Sequence, residues 1–142
     1  MDPGYVVVKL CAEGMAAEAD GCAARAKQLF AEAWRVSSDA YEACIAAHYL
    51  ARHQQTAEEA LRWNQEALRL ADAAADERVS EFYPSLHLNV AYNLERLGRA
   101  PEAYLQYSRA AARLDRLPAN GYMNMMRRAV AQGEARMRDA TR

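Results

Sequence analysis

Three histidines and three cysteines are the residues of this sequence best suited to metal binding or nucleophilic catalysis. His48 and His53 are five residues apart, a spacing that turns the two rings away from each other on a helix. No H-E-x-x-H motif and no cysteine pair completes a metal site. The motifs G-x-S-x-G, P-loop and G-x-G-x-x-G are also absent. The sequence therefore predicts no metal, no cofactor and no catalytic residues, although folding could still assemble a His, an Asn and two Tyr.

The cysteines and the net charge bear on where the protein resides and what it binds. Cys11, Cys22 and Cys44 are odd in number and lack C-x-x-C spacing, which favours a reducing cytoplasm over a disulfide framework. The formal net charge of −1 argues against the basic balance of a nucleic-acid-binding domain. No apolar run approaches the ~20 residues that cross a bilayer, and the N-terminus has no signal-peptide pattern. We expect a cytoplasmic protein with neither a membrane nor a nucleic acid as its partner.

Arginines become frequent in the last third of the chain, where Arg109, Arg113 and Arg116 follow helical spacing. A solvated outer face, a patch for an acidic partner and a weak nucleic-acid contact are three interpretations of this pattern. The first is favoured, because no aromatic residues are interleaved with the arginines to stack on bases.

The composition predicts the elements that must position any functional residue. A length of 142 residues is that of one domain with a continuous core. Hydrophobic residues make up 52% of the chain, many of them alanine, and 8% of the chain is aromatic. Alanine favours helices and lets their axes approach closely. Because strand-forming residues are scarce outside Tyr5–Val8, we expect an all-α fold.

A pattern of small and aromatic residues occurs three times. The first copy is Gly14, Ala26, Phe30 and Ala33. The second copy lies 34 residues on and consists of His48, Ala60, Asn64 and Ala67. The third lies a further 43 residues on and consists of Ala91, Ala103, Tyr107 and Ala110. The same internal spacing in all three copies indicates a repeated helical hairpin.

Local signals indicate where the helices of each hairpin begin and end. Gly21 and Gly98 occupy the turns, where a residue that tolerates positive φ ends the first helix. Thr56-Ala57-Glu58-Glu59 is a capping box that opens the second helix of the middle copy. Pro101 stands at the start of the corresponding helix in the third copy, and Ser38 is a candidate cap for the helix that begins near position 39.

These offsets resemble those of the tetratricopeptide repeat, and the resemblance covers nearly the whole chain. It implies a right-handed helical superhelix made of three helix-turn-helix hairpins, at about residues 5–36, 39–74 and 80–117. A C-terminal capping helix at about 120–140 brings the total to about seven helices in a single domain, residues 1–142. Stretches such as AHYLARHQ also resemble small stand-alone bacterial repeat proteins.

The resemblance implies a binding groove, because the first helix of each hairpin lines a concave surface in that family. The positions that match the family's groove are Cys11, Met15 and Glu18 in the first copy, Ile45, Tyr49, Arg52 and His53 in the second, and Leu88, Tyr92, Glu95 and Arg96 in the third. The predicted peptide-binding residues among them are Tyr49, Arg52, His53, Leu88, Tyr92 and Arg96. Arginines at such positions can bind carboxylates, and tyrosines supply flat apolar contacts. The expected function is therefore a non-catalytic interaction module or adaptor that binds a peptide segment of a partner protein. The alternative for these residues is an ordinary solvated helix face.

The middle copy departs from the repeat pattern at two positions. His48 takes the place of the small residue and Asn64 that of the aromatic one, so we expect the two side chains to face each other and form a hydrogen bond. A structural pair is the favoured interpretation. The alternative is a ligand pocket that also contains Trp63, His53 and Tyr83, in a small-molecule-binding or enzymatic protein.

Self-association is a third hypothesis. The exposed ends of a repeat stack often bind other chains. Here the N-terminal Tyr5–Val8 segment and the methionine-rich last helix are apolar, so a homodimer through the terminal helices is a further candidate.

Overall fold

The computed structural model describes residues 3–141, and helix accounts for 82% of the structure. Seven α-helices lie in this part of the chain: α1 Pro3–Ala19, α2 Ala23–Val36, α3 Ala40–Leu50, α4 Ala57–Ala74, α5 Tyr83–Arg96, α6 Ala100–Leu114 and α7 Gly121–Ala140. Short 3₁₀ helices follow α3 at Ala51–His53 and precede α5 at Glu77–Val79. No strand occurs between residues 3 and 141, so the expected all-α fold is confirmed. None of the described helices combines the length and apolarity needed to span a membrane.

At most of the predicted helix boundaries, the residue expected to end, cap or begin the helix does so. Gly21 and Gly98 have φ values of 78° and 75°, a left-handed conformation that glycine adopts without steric cost. The Thr56 hydroxyl accepts a hydrogen bond of 3.1 Å from the Glu59 backbone N–H at the start of α4. Pro101 lies in the first turn of α6, where a helix needs no N–H donor.

The cap of α3 differs from the one predicted. Asp39 is the N-cap, because its carboxylate accepts a 2.8 Å hydrogen bond from the Glu42 backbone N–H. Ser38 instead donates from its hydroxyl to the Glu42 carboxylate over 3.0 Å. The cap prediction was therefore wrong by one residue, since both serine and aspartate favour this position and the sequence does not show which is in register.

The chain divides into two compact units, with the first ending at Asp76 and the second beginning at Glu77. In the first unit, α1 packs on α2 and α3 packs on α4. One cluster of its hydrophobic core contains Val7, Cys11, Ala17, Ala26, Leu29, Phe30, Ala33, Ala46 and Leu50. A Cβ atom at Gly14 would overlap the Phe30 ring, so the absence of a side chain there lets α1 approach α2 closely.

The second unit consists mainly of α5, α6 and α7, and α6 packs against both of the others. Tyr107 is almost fully buried, and its ring lies where a Cβ atom of Gly133 would be. The Tyr107 hydroxyl donates a 2.7 Å hydrogen bond to the Glu95 carboxylate. Arg136 of α7 donates to the same carboxylate over 2.9 Å. These hydrogen bonds join all three helices of the unit through one acidic side chain.

Candidate functional site

The tyrosine predicted to line the groove in the first unit is packed against an aromatic side chain of α2. The Tyr49 ring stacks on the Phe30 ring, with centroids 5.0 Å apart and planes 12° apart. The Arg52 guanidinium carbon lies 4.7 Å from the centroid of the Tyr49 ring, within cation–π distance. The His48 ring meets Tyr49 edge to face at 5.2 Å. Tyr49 is therefore held in one position by three neighbouring side chains.

Arg52 and His53, two of the candidates in the first unit, share one carboxylate. Arg52 donates a 2.8 Å hydrogen bond to Glu18 of α1. The His53 Nε2 atom lies 2.7 Å from the other oxygen of the same carboxylate. Glu18 therefore neutralises charge at this end of α3. The repeat pattern placed Glu18, Arg52 and His53 at groove positions of neighbouring copies, but it did not indicate that these side chains bind one another.

The candidates in the second unit lie on one exposed face of α5. Leu88, Tyr92 and Arg96 are spaced by four residues, so they follow one another along a single side of the helix. Tyr92 is 52% exposed, Arg96 is exposed and Leu88 is half-buried. The Arg96 guanidinium carbon lies 5.8 Å from the centroid of the Tyr92 ring. We call these three residues the α5 face.

Asn64 is buried in the first unit, where it is 4% exposed, and His48 is partly buried there. Burial, reinforced by the positive charge of Arg52, lowers the pKa of His48 to about 4, so its imidazole is neutral at pH 7. The hydrogen bond between His48 and Asn64 stays a prediction.

The two aromatic members of the predicted ligand pocket have different neighbours. Trp63 meets Trp34 edge to face, with centroids 5.0 Å apart. Tyr83 belongs to the second unit, where it is buried and stacks on His87 at 6.0 Å. The Arg113 guanidinium carbon lies 4.0 Å from the Tyr83 ring centroid. A ligand pocket formed by His48, Asn64, Trp63 and Tyr83 stays a prediction.

A pocket of about 420 Å³ lies beside the tryptophan pair in the first unit. It is lined by Trp34, Gln54, Glu59, Arg62, Trp63 and Glu66. Trp63 was a predicted ligand-pocket residue, whereas the other five were not predicted as site residues. The available signal was the pair of tryptophans, the only two in the chain, on the second helices of successive hairpins.

The buried thiols have the properties of core residues. Burial raises the pKa of Cys11 to about 11. Burial and, to a lesser extent, the negative charge of Asp72 raise the pKa of Cys44 to about 11. Both are therefore protonated at pH 7, and a protonated thiol is a poor nucleophile. Within the described residues, no group of three or more His, Cys, Asp or Glu side chains is placed to hold a metal ion.

The terminal helices carry large apolar side chains on their surfaces. These are Tyr5 and Val8 on α1, and Tyr122 and Met125 on α7. Each side chain is more than half exposed. Self-association through these helices stays a prediction.

The chain was compared with known proteins in three ways. A scan against protein-family models, a search of curated proteins and a search of solved structures each gave no match. The resemblance to tetratricopeptide repeats therefore rests on residue spacing alone, and the repeat family and its superhelix stay predictions.

Proposed function

We propose that this chain is a non-catalytic binding module that holds a peptide segment of another protein on the α5 face. The exposure of Tyr92 between an apolar and a cationic side chain is the observation that carries the proposal. Tyrosine and arginine are enriched among the residues that dominate binding energy in protein interfaces. The resemblance to tetratricopeptide repeats supports the same proposal, because the first helix of each hairpin is the binding helix in that family.

The charges around the α5 face favour a peptide that contains an acidic residue. Within the described part of the chain, no carboxylate lies within ion-pair distance of Arg96. A peptide carboxylate can therefore pair with this guanidinium without displacing an internal partner. Leu88 and the Tyr92 ring offer apolar contact to a neighbouring side chain of the same peptide. Binding to a preformed helix also limits the entropy that is lost on association.

The proposal is tested by selecting ligands from a random peptide library and measuring their affinity by fluorescence anisotropy. The selected peptides should contain Asp or Glu near an apolar residue. Tyr92→Ala should weaken their binding by about tenfold or more, the loss typical of truncating a central aromatic contact. Arg96→Gln should remove the preference for acidic residues.

Tyr5→Ala is the matched control, because Tyr5 is 57% exposed and lies outside the α5 face. Its affinity for the selected peptides should equal that of the wild type. Equal affinity of the wild type and Tyr92→Ala would refute the proposal. A selection that yields no peptide above background would refute it as well.

A further inference from the structure

The two tryptophans of the chain pack against each other with nearly perpendicular rings. Trp34 of α2 and Trp63 of α4 meet with their ring planes at 88°. Both indoles also pack against the hydrophobic core of the first unit. Their orientation is therefore set by the fold, and the pocket that they line is preformed.

The tryptophan pair differs from the tyrosines in its relation to cations. Several tyrosines have an arginine guanidinium within 6.0 Å of the ring centroid. Examples are Tyr49 with Arg52, Tyr83 with Arg113, Tyr92 with Arg96 and Tyr104 with Arg138. Indole is the best cation–π acceptor among the protein side chains. Yet no lysine or arginine between residues 3 and 141 lies over Trp34 or Trp63. The strongest aromatic acceptors thus have no cation over their rings in the part of the chain that the structure describes.

The pocket is also lined by a carboxylate, that of Glu59, whose negative charge is not paired with a cation among the described residues. Glu66 is paired with Arg69 at 2.5 Å, so its charge is already balanced. Glu59 has no ion-pair partner among the described residues, although Arg62 stands three positions later on α4. In α2, a glutamate and an arginine at the same spacing, Glu32 and Arg35, do form an ion pair. The Glu59 carboxylate is therefore free to bind a cation from outside the protein.

Arg62 is the one cation that lines the pocket, and it weakens the attraction for another. Its side chain is exposed, and its guanidinium lies over neither indole. The positive charge of Arg62 repels a cation bound in the pocket, but the guanidinium does not occupy the position beside the indoles where that cation would bind. Removing that charge is therefore expected to strengthen cation binding.

We propose that this pocket binds an alkylated ammonium group, with its methyl groups against the indoles of Trp34 and Trp63 and Glu59 as its counterion. Aromatic side chains recognise quaternary ammonium groups in this way, because such groups combine a positive charge with an apolar surface. A primary ammonium group is strongly hydrated and loses more on entering an aromatic pocket. The volume of about 420 Å³ is within the range of small-ligand pockets. The site lies in the first unit and does not depend on the α5 face.

Intrinsic fluorescence gives a direct test, because both tryptophans of the chain line this pocket. The protein is titrated with choline and with its neutral isostere 3,3-dimethylbutan-1-ol at matched ionic strength. Choline should produce a saturable change in emission. The isostere should bind about tenfold more weakly, because it lacks the charge that the indoles and Glu59 recognise.

Charge variants separate a cationic ligand from a neutral or an anionic one. Glu59→Gln should weaken choline binding about fivefold, the effect of losing one partly solvated ion pair. Arg62→Gln should tighten it. Glu58→Gln is the matched control, since Glu58 precedes Glu59 on α4, is exposed and does not line the pocket. Its affinity for choline should equal that of the wild type.

A peptide that carries trimethyllysine, compared with its unmodified form, distinguishes the source of the ammonium group. Tighter binding of that peptide than of choline would identify a methylated protein as the ligand, and the reverse order a free ammonium compound. Equal affinities for choline and its isostere, or for Glu59→Gln and Glu58→Gln, would overturn the proposal. So would the absence of both an emission change and a heat of binding in titration calorimetry.

Discussion

Helix α3 with the 3₁₀ helix that follows it, and helix α5, each carry a tyrosine and then an arginine about one turn later, but the two pairs have different surroundings. Tyr49 on α3 stacks on Phe30, and Arg52 is paired with Glu18. Tyr92 on α5 is 52% exposed, and the Arg96 guanidinium lies near its ring and has no ion-pair partner among the described residues. Tyr49 and Arg52 make contacts within the first unit, whereas Tyr92 and Arg96 are exposed on α5.

The position of the nearest carboxylate explains this difference. Glu18 of α1 accepts a hydrogen bond from Arg52 and lies within hydrogen-bond distance of His53, both in the 3₁₀ helix that follows α3. On α5 the nearest carboxylate in sequence is Glu95, which accepts hydrogen bonds from Tyr107 and Arg136 inside the second unit. Residue type alone therefore does not predict whether an arginine can bind a ligand, because the answer depends on which acids the fold brings to it.

The largest expected effect comes from disturbing the aromatic support of Tyr49. Gly14→Ala places a Cβ atom inside the space of the Phe30 ring, which must then move. Phe30 is fully buried, and its ring stacks on that of Tyr49. We therefore expect the free energy of unfolding to fall by about 3 kcal/mol, the upper end of the range for substitutions that overpack a core. Urea denaturation measures this change.

Gly121→Ala is the control for this substitution. A Cβ atom at Gly121 would have no neighbour within 4 Å, and Gly121 does not have a positive φ. Its free energy of unfolding should stay within about 0.5 kcal/mol of the wild type. An equal loss in both variants would mean that contact with Phe30 is not the cause.

The next effect is a pH dependence that arises on α3. The pKa of His48 is about 4 in the folded protein and 6.5 in the unfolded chain, so the unfolded chain takes up the proton first as the pH falls. The stabilising contribution of neutral His48 is complete above pH 6.5 and is lost as the pH falls towards 4. Between pH 8 and pH 5 we expect a loss of about 2 kcal/mol, measured by urea denaturation at each pH.

His48→Gln identifies the source of this pH dependence, because glutamine is polar and does not titrate. The variant should be less sensitive to pH between 8 and 5 than the wild type. If both proteins lose the same stability over this range, His48 is not the group responsible.

The smallest expected effect is the difference in stability between a variant that alters the surroundings of Arg52 and one that removes Arg96. Glu18→Gln removes the negative charge that Arg52 and His53 share, and we expect a loss of about 1 kcal/mol in the free energy of unfolding. Arg96→Gln should change it by less than about 0.3 kcal/mol, since Arg96 is exposed and has no ion pair in the described residues. Equal losses in both variants would contradict the distinction between α3 and α5.

Much of the local structure could be predicted because it depends on neighbours in sequence. Gly21 and Gly98 end their helices through their own backbone freedom, and Thr56 caps α4 through a residue three positions away. The prediction failed at Ser38, where the adjacent Asp39 takes the cap. Two good capping residues in a row compete, and only the register of the helix decides between them.

The sequence by itself determined that this protein is all-α, and it indicated where most of its helices begin and end, since helix propensity and capping act over a few residues. Only the tertiary structure decided which candidate side chains are available. It paired Arg52 with Glu18, left Tyr92 and Arg96 on the surface, and brought Trp34 and Trp63 together beside Glu59. These contacts join residues up to 34 positions apart, and side-chain partners at such distances are set by helix packing and not by local sequence.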